Sequence, residues 1–146
     1  MLGYRIKIEP DDNDTVLVTC PALPELTTFG DNAGEGALHA IGAIEEALAA
    51  RISEGREVPQ LETEASAGTL FVSLPVLTAL KVGLYRALQE EKITRAELQR
   101  RLRWPHREQV DRLFRLDHAS QFPALEAAFR ALHRSLEISI KDSHAA

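Results

Sequence analysis

Cysteine is almost absent from this chain, since Cys20 is the only one in 146 residues. A single thiol excludes an internal disulfide and a cysteine-rich zinc site. The chain also has no apolar run approaching the roughly 18 residues of a membrane-spanning helix, and its N-terminus has no signal-peptide pattern. These absences predict a soluble, cytoplasmic protein that does not use the membrane.

The sequence motifs of several enzyme classes are also missing. There is no GxSxG elbow, no phosphate-binding P-loop and no GxGxxG turn. The five histidines share no helix face at metal-ligand spacing. The aspartates from Asp11 to Asp14 lack the glycine and the closing glutamate of a calcium loop, so we interpret them as a turn. We therefore predict no catalytic residues, no metal and no cofactor.

Charge divides the chain into two unlike halves. Residues 1–66 contain 4 basic and 13 acidic residues, whereas residues 67–146 contain 13 basic and 9 acidic ones. Halves of opposite charge favour two small domains with different partners. We predict an α+β domain over residues 1–60, a polar linker over 61–68 and a mainly α-helical domain over 69–146.

Alternation and capping signals predict the elements of the acidic half. Apolar residues alternate with polar ones over Tyr4–Ile8, which is typical of a half-buried strand, and Thr15–Cys20 and Leu26–Phe29 are predicted as two more. Asn32 and Glu35 form a cap pair that begins a helix. Its expected core-facing residues are Leu38, Ile41, Ala43 or Ile44, Leu48 and Ile52.

The basic half contains a pattern typical of a helix-turn-helix. Thr94 is the predicted N-cap of the first helix, with Glu97 as its reciprocal cap, and Pro105 is placed in the first turn of the second. From Lys92 to Arg115 there are eight basic and three acidic residues, a stripe that suits phosphate. The second helix should bury Val110, Leu113 and Phe114. A solvated hairpin in an all-α bundle is the alternative.

Two strand-like segments flank this helical region. Thr69–Leu74 precedes a helix that begins after Pro75, and Leu136–Ile140 follows a helix opened by Pro123 and alternates strictly. Two short strands leave unpaired edges, which a symmetric dimer would satisfy. We therefore predict at least a homodimer formed through the C-terminal domain.

The order of these segments resembles the HicB-type antitoxins of bacterial toxin-antitoxin operons over nearly the full chain. The matching segments are EPDDN, VTCPALPEL, FGDN, GALHAIGAIEEAL, LPVLTALKVGLYRAL, ITRAELQRRL, REQVDRLFRLDHAS and ALEAAFRALHRSLEISI. The resemblance implies an N-terminal domain similar to a truncated ribonuclease-H fold, which binds and blocks a HicA-type mRNA-cleaving toxin. It also implies a C-terminal helix-turn-helix that represses the operon by binding double-stranded operator DNA. It implies no nuclease activity in the chain itself.

The resemblance also implies roles for individual residues. The DNA-contacting residues it implies are Thr94, Arg95, His106, Arg107, Gln109, Arg112, His118 and Ser120. We hypothesise that acidic loops mask the RNA-binding face of the toxin, through Asp12, Asp14, Pro21, Leu23 and Glu25. The chain departs from the family at Arg103, where a turn glycine is usual, and at Pro105, which lengthens the turn.

Two other functions compete with this interpretation. One is a stand-alone helix-turn-helix regulator whose first domain senses a ligand or a protein, although that domain offers little chain for an enclosed cavity. The other is an enzyme with a degenerate ribonuclease-H-like domain. Such a site needs carboxylates that converge on the first strand to hold metal ions, and Tyr4–Ile8 contains none.

Overall fold

The computed structural model describes residues 1–64 and 70–143, in which antiparallel strands are followed by helices. The strands are β1 (Leu2–Arg5), β2 (Lys7–Pro10), β3 (Val16–Cys20), β4 (Leu23–Gly30), β5 (Glu62–Thr63) and β6 (Phe71–Ser73). The helices are α1 (Ala33–Ser53), α2 (Val76–Glu90), α3 (Arg95–Leu102), α4 (Arg107–Leu113) and α5 (Phe122–Ala131). The predicted order of an α+β half before a helical half is confirmed.

The strands form two antiparallel sheets, with strand orders β5-β1-β6 and β2-β3-β4. The first predicted strand is divided at Ile6 into β1 and β2, so the same stretch of chain enters both sheets. Tyr4 and Ile6 are buried while Arg5 and Lys7 are exposed, as period-two alternation requires. The third predicted strand begins earlier than expected, at Leu23.

α1 packs against β3 and β4 through a face that repeats every fourth residue. Its buried residues are Gly36, Ala40, Ile44, Leu48 and Ile52. The prediction that Leu38 faces the core is wrong, because its side chain is 69% exposed. Close packing requires glycine at the end of β4, because a Cβ on Gly30 would lie 2.3 Å from the backbone nitrogen of Gly36 in the first turn of α1. The end of β4 and the first turn of α1 are therefore in backbone contact.

β6 belongs to the β5-β1-β6 sheet, although it follows the predicted linker in the sequence. Tyr4 of β1 pairs with Val72 of β6, so the sheet contains strands from both sides of the predicted boundary. The linker prediction covers β5 and part of residues 65–69, and the latter lie outside the described residues. The division into domains at this point remains a prediction.

The helical region is built around α2. This helix contacts α1, β1 and α5, and it buries residues on several sides, among them Ala79, Val82 and Tyr85. The predicted burial of Val110, Leu113 and Phe114 is confirmed, as is that of α5 and its C-cap (Leu125, Ala128, Phe129 and Leu132). One apolar core runs through both halves of the described chain.

The chain after α5 contains no strand within the described residues up to 143. The predicted strand over Leu136–Ile140 is therefore wrong for the single chain. Arg134 anchors the segment through ion pairs with Glu90 of α2 and with Glu91, the C-cap of that helix. Beyond it, Ile138 and Ile140 are 71% and 96% exposed. Backbone groups with no neighbouring strand cannot form a ladder. None of the described helices is long and apolar enough to cross a membrane.

Candidate nucleic-acid interface

α3 begins at the predicted cap. The hydroxyl of Thr94 accepts a 3.1 Å hydrogen bond from the backbone N–H of Glu97, which satisfies a donor of the first turn. The predicted return bond from Glu97 is wrong. Its carboxylate accepts instead from Arg100 at 2.6 and 2.8 Å and from Arg101 at 3.1 Å. These bonds lower the pKa of Glu97 to about 2.

Arg103 turns the chain between α3 and α4. Its backbone is left-handed, with φ 59° and ψ 33°, a conformation that glycine adopts with less strain. Two hydrogen bonds of 3.2 Å then join Gln99 and Trp104, one from the Gln99 amide and one from the Trp104 backbone N–H. Pro105 lies before α4, not in its first turn as predicted, because His106 is the N-cap.

Gln109 stabilises the start of α4. Its side-chain oxygen accepts a 3.1 Å hydrogen bond from the backbone N–H of His106, which is the reciprocal half of a capping box. The side-chain oxygen of Gln109 is therefore occupied in the free chain, while no described residue accepts from its amide nitrogen.

The exposed arginines of α4 are paired with carboxylates one turn away. Arg112 lies 2.8 Å from Glu108, and Arg107 lies 3.3 Å from Asp111. Across residues 92–115, all of them described, ion pairs with other described residues occupy every basic side chain except Lys92 and Arg103. Exposed pairs of this kind contribute little stability, about 0.3–0.5 kcal/mol each, so phosphates can displace them readily.

Arg95 differs from the other arginines because it is held between α3 and α4. Its guanidinium lies 4.8 Å from the ring centre of Phe114 and 3.1 Å from Asp111. Cation–π attraction and the ion pair act together there. These contacts join α3 to α4. The Arg95 side chain is still 27% exposed, so part of its guanidinium remains accessible to a ligand.

The structure brings four of the eight predicted DNA-contacting residues together. Gln109, Arg112, His118 and Ser120 line one open depression of about 490 Å³. The ring Nδ1 of His118 lies 3.1 Å from the Ser120 hydroxyl, which donates in turn to the Arg112 carbonyl at 3.4 Å. The other four, which lie outside this lining, are Thr94, Arg95, His106 and Arg107.

Lys81 of α2 is a residue that the sequence predictions missed. It is fully buried, and its ammonium group donates to the carbonyl oxygens of Arg112 at 2.8 Å and Arg115 at 2.6 Å. Burial lowers its pKa to about 8. The sequence signal that could have identified Lys81 is a lysine placed among the apolar residues of a helix that is buried on several sides. Lys81 fixes the C-terminal end of α4 from beneath.

The residues hypothesised to contact a toxin are at opposite ends of the β2-β3-β4 sheet. The turn with Asp12 and Asp14 lies near Val16, which pairs with both Pro10 and Gly30. The other three, Pro21, Leu23 and Glu25, lie at the far end, where Cys20 pairs with Leu23.

The members of that far set differ in exposure. Pro21 is exposed, whereas Leu23 is fully buried. Glu25 is held by Arg51 through hydrogen bonds of 2.7 and 2.8 Å, which lower the pKa of Glu25 to about 2. The described residues contain no group of three or more histidine, cysteine, aspartate or glutamate side chains placed to hold a metal ion.

Comparison with known proteins gives consistent matches. Residues 3–83 match the family model described as HicB-like antitoxin of bacterial toxin-antitoxin system. Antitoxin HicB of Pseudomonas fluorescens (strain Pf0-1) is 33% identical over 141 residues, which cover 97% of this chain and 95% of that protein. Antitoxin HicB of Escherichia coli (strain K12) is 29% identical, covering 94% and 98%. Antitoxin HicB 2 of Photorhabdus laumondii is 30% identical, covering 94% and 95%.

Proposed function

The chain belongs to the HicB-like antitoxin family, and from this premise we propose that it neutralises a HicA-type mRNA-cleaving toxin by direct binding and represses its own operon by binding DNA. The observation that carries the proposal is the match to HicB antitoxins along nearly the whole chain, together with its division into an acidic and a basic half. A toxin that cleaves mRNA and the operon DNA are both cytoplasmic in a bacterium, so we expect the chain to act there.

In the DNA arm, α3 and α4 act as a helix-turn-helix. α4 lies in the major groove, with Arg112 directed to guanine or phosphate, while Thr94 and Arg95 meet the backbone of the duplex. The support is the exposed arginine face of α4, whose carboxylate partners lie on the same helix and are weakly bound.

Gln109 has a particular constraint in this arrangement. A bidentate contact with adenine uses both the oxygen and the nitrogen of the side-chain amide, yet the oxygen caps α4 at His106. Gln109 therefore either releases the cap to recognise adenine or keeps it and donates only from its amide nitrogen, to a purine N7 or a guanine O6.

In the toxin arm, the N-terminal sheet and α1 form a truncated ribonuclease-H-like domain that covers the RNA-binding face of the toxin. A protein that grips RNA is basic, and residues 1–66 carry a net charge of −9. Charge complementarity of this kind steers association. Charge reversal at Asp12 and Asp14 should therefore weaken capture at low salt, and unchanged affinity would contradict this part.

A second copy completes the repressor. The exposed Ile138 and Ile140 follow a strand-like alternation but have no partner strand among the described residues. Pairing of this segment with its counterpart in a symmetric dimer would cover both. Such a dimer would place two α4 helices on half-sites about 34–36 Å apart, or a multiple of that distance. Alanine at both isoleucines should yield a monomer in sedimentation.

The two arms are separable by mutation. Arg112→Ala combined with Gln109→Ala should weaken binding to a duplex of the chain's own promoter, while capture of the adjacent gene's product stays unchanged. Arg130→Ala on α5 is the matched control, since Arg130 forms a similar ion pair with Glu126 four residues away. Loss of both activities in the double variant would indicate unfolding. Retention of promoter binding would contradict the assignment of the DNA arm.

A further inference from the structure

Leu17 and Phe29 form an apolar pair on the face of the β2-β3-β4 sheet that points away from α1. They lie opposite each other in β3 and β4, and opposite residues of an antiparallel pair share one face of the sheet. Their neighbours in β3 point toward the helix, since a Cβ on Gly36 of α1 would lie 2.8 Å from a methyl group of Val18 and 3.1 Å from one of Val16. Because side chains alternate along a strand, Leu17 and Phe29 point to the opposite side.

We call this side of the sheet the outer face. Across β2, β3 and β4 its residues are Glu9, Leu17 and Phe29 in one row and Lys7, Thr19 and Thr27 in the next. Phe29 is 51% exposed and Leu17 is half-buried. The apolar core contains Val18, with Val16 packed against it, so it is built on the inner face. A phenylalanine exposed beside a leucine on the other face is typical of an interaction site.

The neighbouring strands and α1 hold this pair in place. β3 is the central strand of the sheet, and Leu17 pairs with Glu9 on one side and with Phe29 on the other. The carbonyl oxygen of Phe29 lies 2.6 Å from the ring Nδ1 of His39, which ties β4 to α1. A surface that is already in its binding conformation loses little entropy when a partner docks.

Uncompensated carboxylates lie at the end of the sheet next to the apolar pair. The turn between β2 and β3 and the residue after β4 are both at this end, because Val16 pairs with Pro10 and with Gly30. The carboxylates there are all exposed: Glu9, Asp11, Asp12, Asp14 and Asp31. None of the five forms an ion pair with another described residue. Their charge is therefore available to a partner.

A basic protein is the partner that fits this surface. An apolar centre with a rim of one charge suits a partner of the opposite charge. A second copy of the chain would bring the same five carboxylates to the interface and only one lysine of the outer face, Lys7, so like charges would oppose self-association. Nucleic acid would be repelled through its phosphates.

We propose that the basic, RNA-cleaving partner docks on the outer face, at the end that carries the five carboxylates, with Leu17 and Phe29 as its apolar anchors. This inference rests on the proposed function. It locates the toxin contact on the sheet, on the side turned away from α1, with Asp12 and Asp14 in the acidic rim and Pro21–Glu25 at the far end.

The test measures the affinity of the purified full chain for the small basic protein encoded by the adjacent reading frame. Phe29→Thr should weaken binding by about 10-fold, and Leu17→Thr combined with Phe29→Thr by about 30-fold or more, as expected for interface anchors. Threonine suits a strand, so the sheet is kept. Leu2→Thr is the matched control, since Leu2 is 43% exposed on β1 in the other sheet, and it should change the affinity less than about 2-fold.

Opposite charges placed at one position distinguish docking from folding. Thr27 is exposed on the outer face, in the row next to Phe29. At low salt, Thr27→Glu should bind the basic protein several-fold more tightly than Thr27→Arg, and salt should reduce the difference. Near the carboxylates, arginine should stabilise the fold relative to glutamate, so tighter binding by Thr27→Glu cannot be a folding effect. Val76→Glu and Val76→Arg, at a position 76% exposed on α2, are the control for net charge and should differ less.

Each negative outcome has a specific meaning. Affinities within about 2-fold of wild type for the outer-face variants, alongside tight wild-type binding, would overturn the docking surface and leave the proposed function intact. Equal charge effects at Thr27 and Val76 would overturn the acidic rim. A change of self-association without a change of partner affinity would also overturn the docking surface, since the outer face would then bind a second copy. If the wild-type chain does not bind the basic protein, the proposed function and this surface are both wrong.

Discussion

The ammonium group of Lys81 on α2 donates a 2.8 Å hydrogen bond to the carbonyl oxygen of Arg112, whose side chain faces solvent on α4. A second bond of 2.6 Å reaches the carbonyl of Arg115. The last carbonyls of a helix lack partners within it, and a buried cation satisfies them and complements the helix dipole. The position of the proposed recognition helix therefore depends on a residue that touches no DNA.

Lys81→Met should make the position of α4 less well fixed without leaving a large cavity in the core. Methionine fills most of the lysine volume but removes both hydrogen bonds from the ammonium group. The Arg112 carbonyl keeps its bonds from the Arg115 backbone N–H and the Ser120 hydroxyl, and the Arg115 carbonyl keeps its bond from the His118 backbone N–H. The loss of each charge-assisted bond costs about 1.5–3 kcal/mol, which is partly offset by removing a buried charge. We expect weaker promoter binding and a lower free energy of unfolding, with toxin capture retained below the new melting temperature. Promoter affinity equal to that of wild type would contradict a positioning role for Lys81.

Lys81 also predicts a pH dependence of stability. Its pKa is about 8 in the folded chain and 10.5 in the unfolded one, so between these values the unfolded state binds more protons. The free energy of unfolding should then rise with pH across that window, by about 3 kcal/mol at most. Below pH 8, both states are protonated and this contribution is constant. Denaturant titrations should show that the difference between wild type and Lys81→Met grows from pH 8 to 10.

Arg103→Gly should have two effects: it should stabilise the turn, and it should weaken DNA binding because a positive charge is lost. Glycine removes the strain of the left-handed backbone, although the unfolded chain gains entropy, so we expect a net gain of about 0.5–1 kcal/mol. Arg103→Ala removes the same charge but keeps the strain. Equal losses of promoter affinity in both variants, with a higher melting temperature in the glycine variant alone, would separate the charge from the backbone. A lower melting temperature for Arg103→Gly would contradict this prediction.

Glu108→Gln should tighten promoter binding. The change frees Arg112 from its 2.8 Å ion pair and removes a negative charge from the exposed face of α4. We expect a several-fold higher affinity at low salt and a change in stability within about 0.5 kcal/mol. Glu126→Gln on α5 breaks a comparable pair with Arg130 and serves as the control. An equal gain in the control would mean that only net charge matters.

The Glu25–Arg51 pair should contribute to acid stability. The two hydrogen bonds from Arg51 hold the pKa of Glu25 at about 2, below its ordinary 4.5. The contribution is therefore complete above pH 4.5 and is lost as the pH falls toward 2. Because the Glu25 side chain is 38% exposed, solvent screening limits it to no more than about 1 kcal/mol. Glu25→Gln should lower the free energy of unfolding at pH 6 and converge with wild type near pH 2 in denaturant titrations.

Local signals in the sequence were sufficient for the helices but not for long-range pairing. Thr94 and Asn32 cap their helices as predicted, because a cap depends on residues three positions apart. The carboxylate of Glu97 accepts hydrogen bonds from Arg100 and Arg101 and not from the backbone N–H of Thr94. A charge-assisted bond from a guanidinium is stronger than a bond from a neutral backbone donor. β6 pairs with β1 across some 70 residues, and no local pattern encodes such a partner.

The candidate nucleic-acid interface shows the same contrast: its local features could be predicted from the sequence, and its long-range contacts could not. The exposed arginines of α4 were predictable from helical periodicity, because the buried set Val110, Leu113 and Phe114 fixes the opposite face. The bonds of Lys81 were not, because they depend on how α2 crosses beneath α4. Leu38 was assigned to the core by spacing alone, but the face of α1 that packs on the strands runs through Gly36, Ala40 and Ile44, which leaves Leu38 exposed.

The proposed function requires that this chain inhibits a toxin by binding it. The most direct measurement is a titration of the purified chain into an RNA-cleavage assay of the small basic protein, of about 60–80 residues, encoded by the adjacent reading frame, a size near the lower limit for a free domain. We expect cleavage to stop once the chain is equimolar with the toxin. Undiminished cleavage at a large excess of the chain would contradict it.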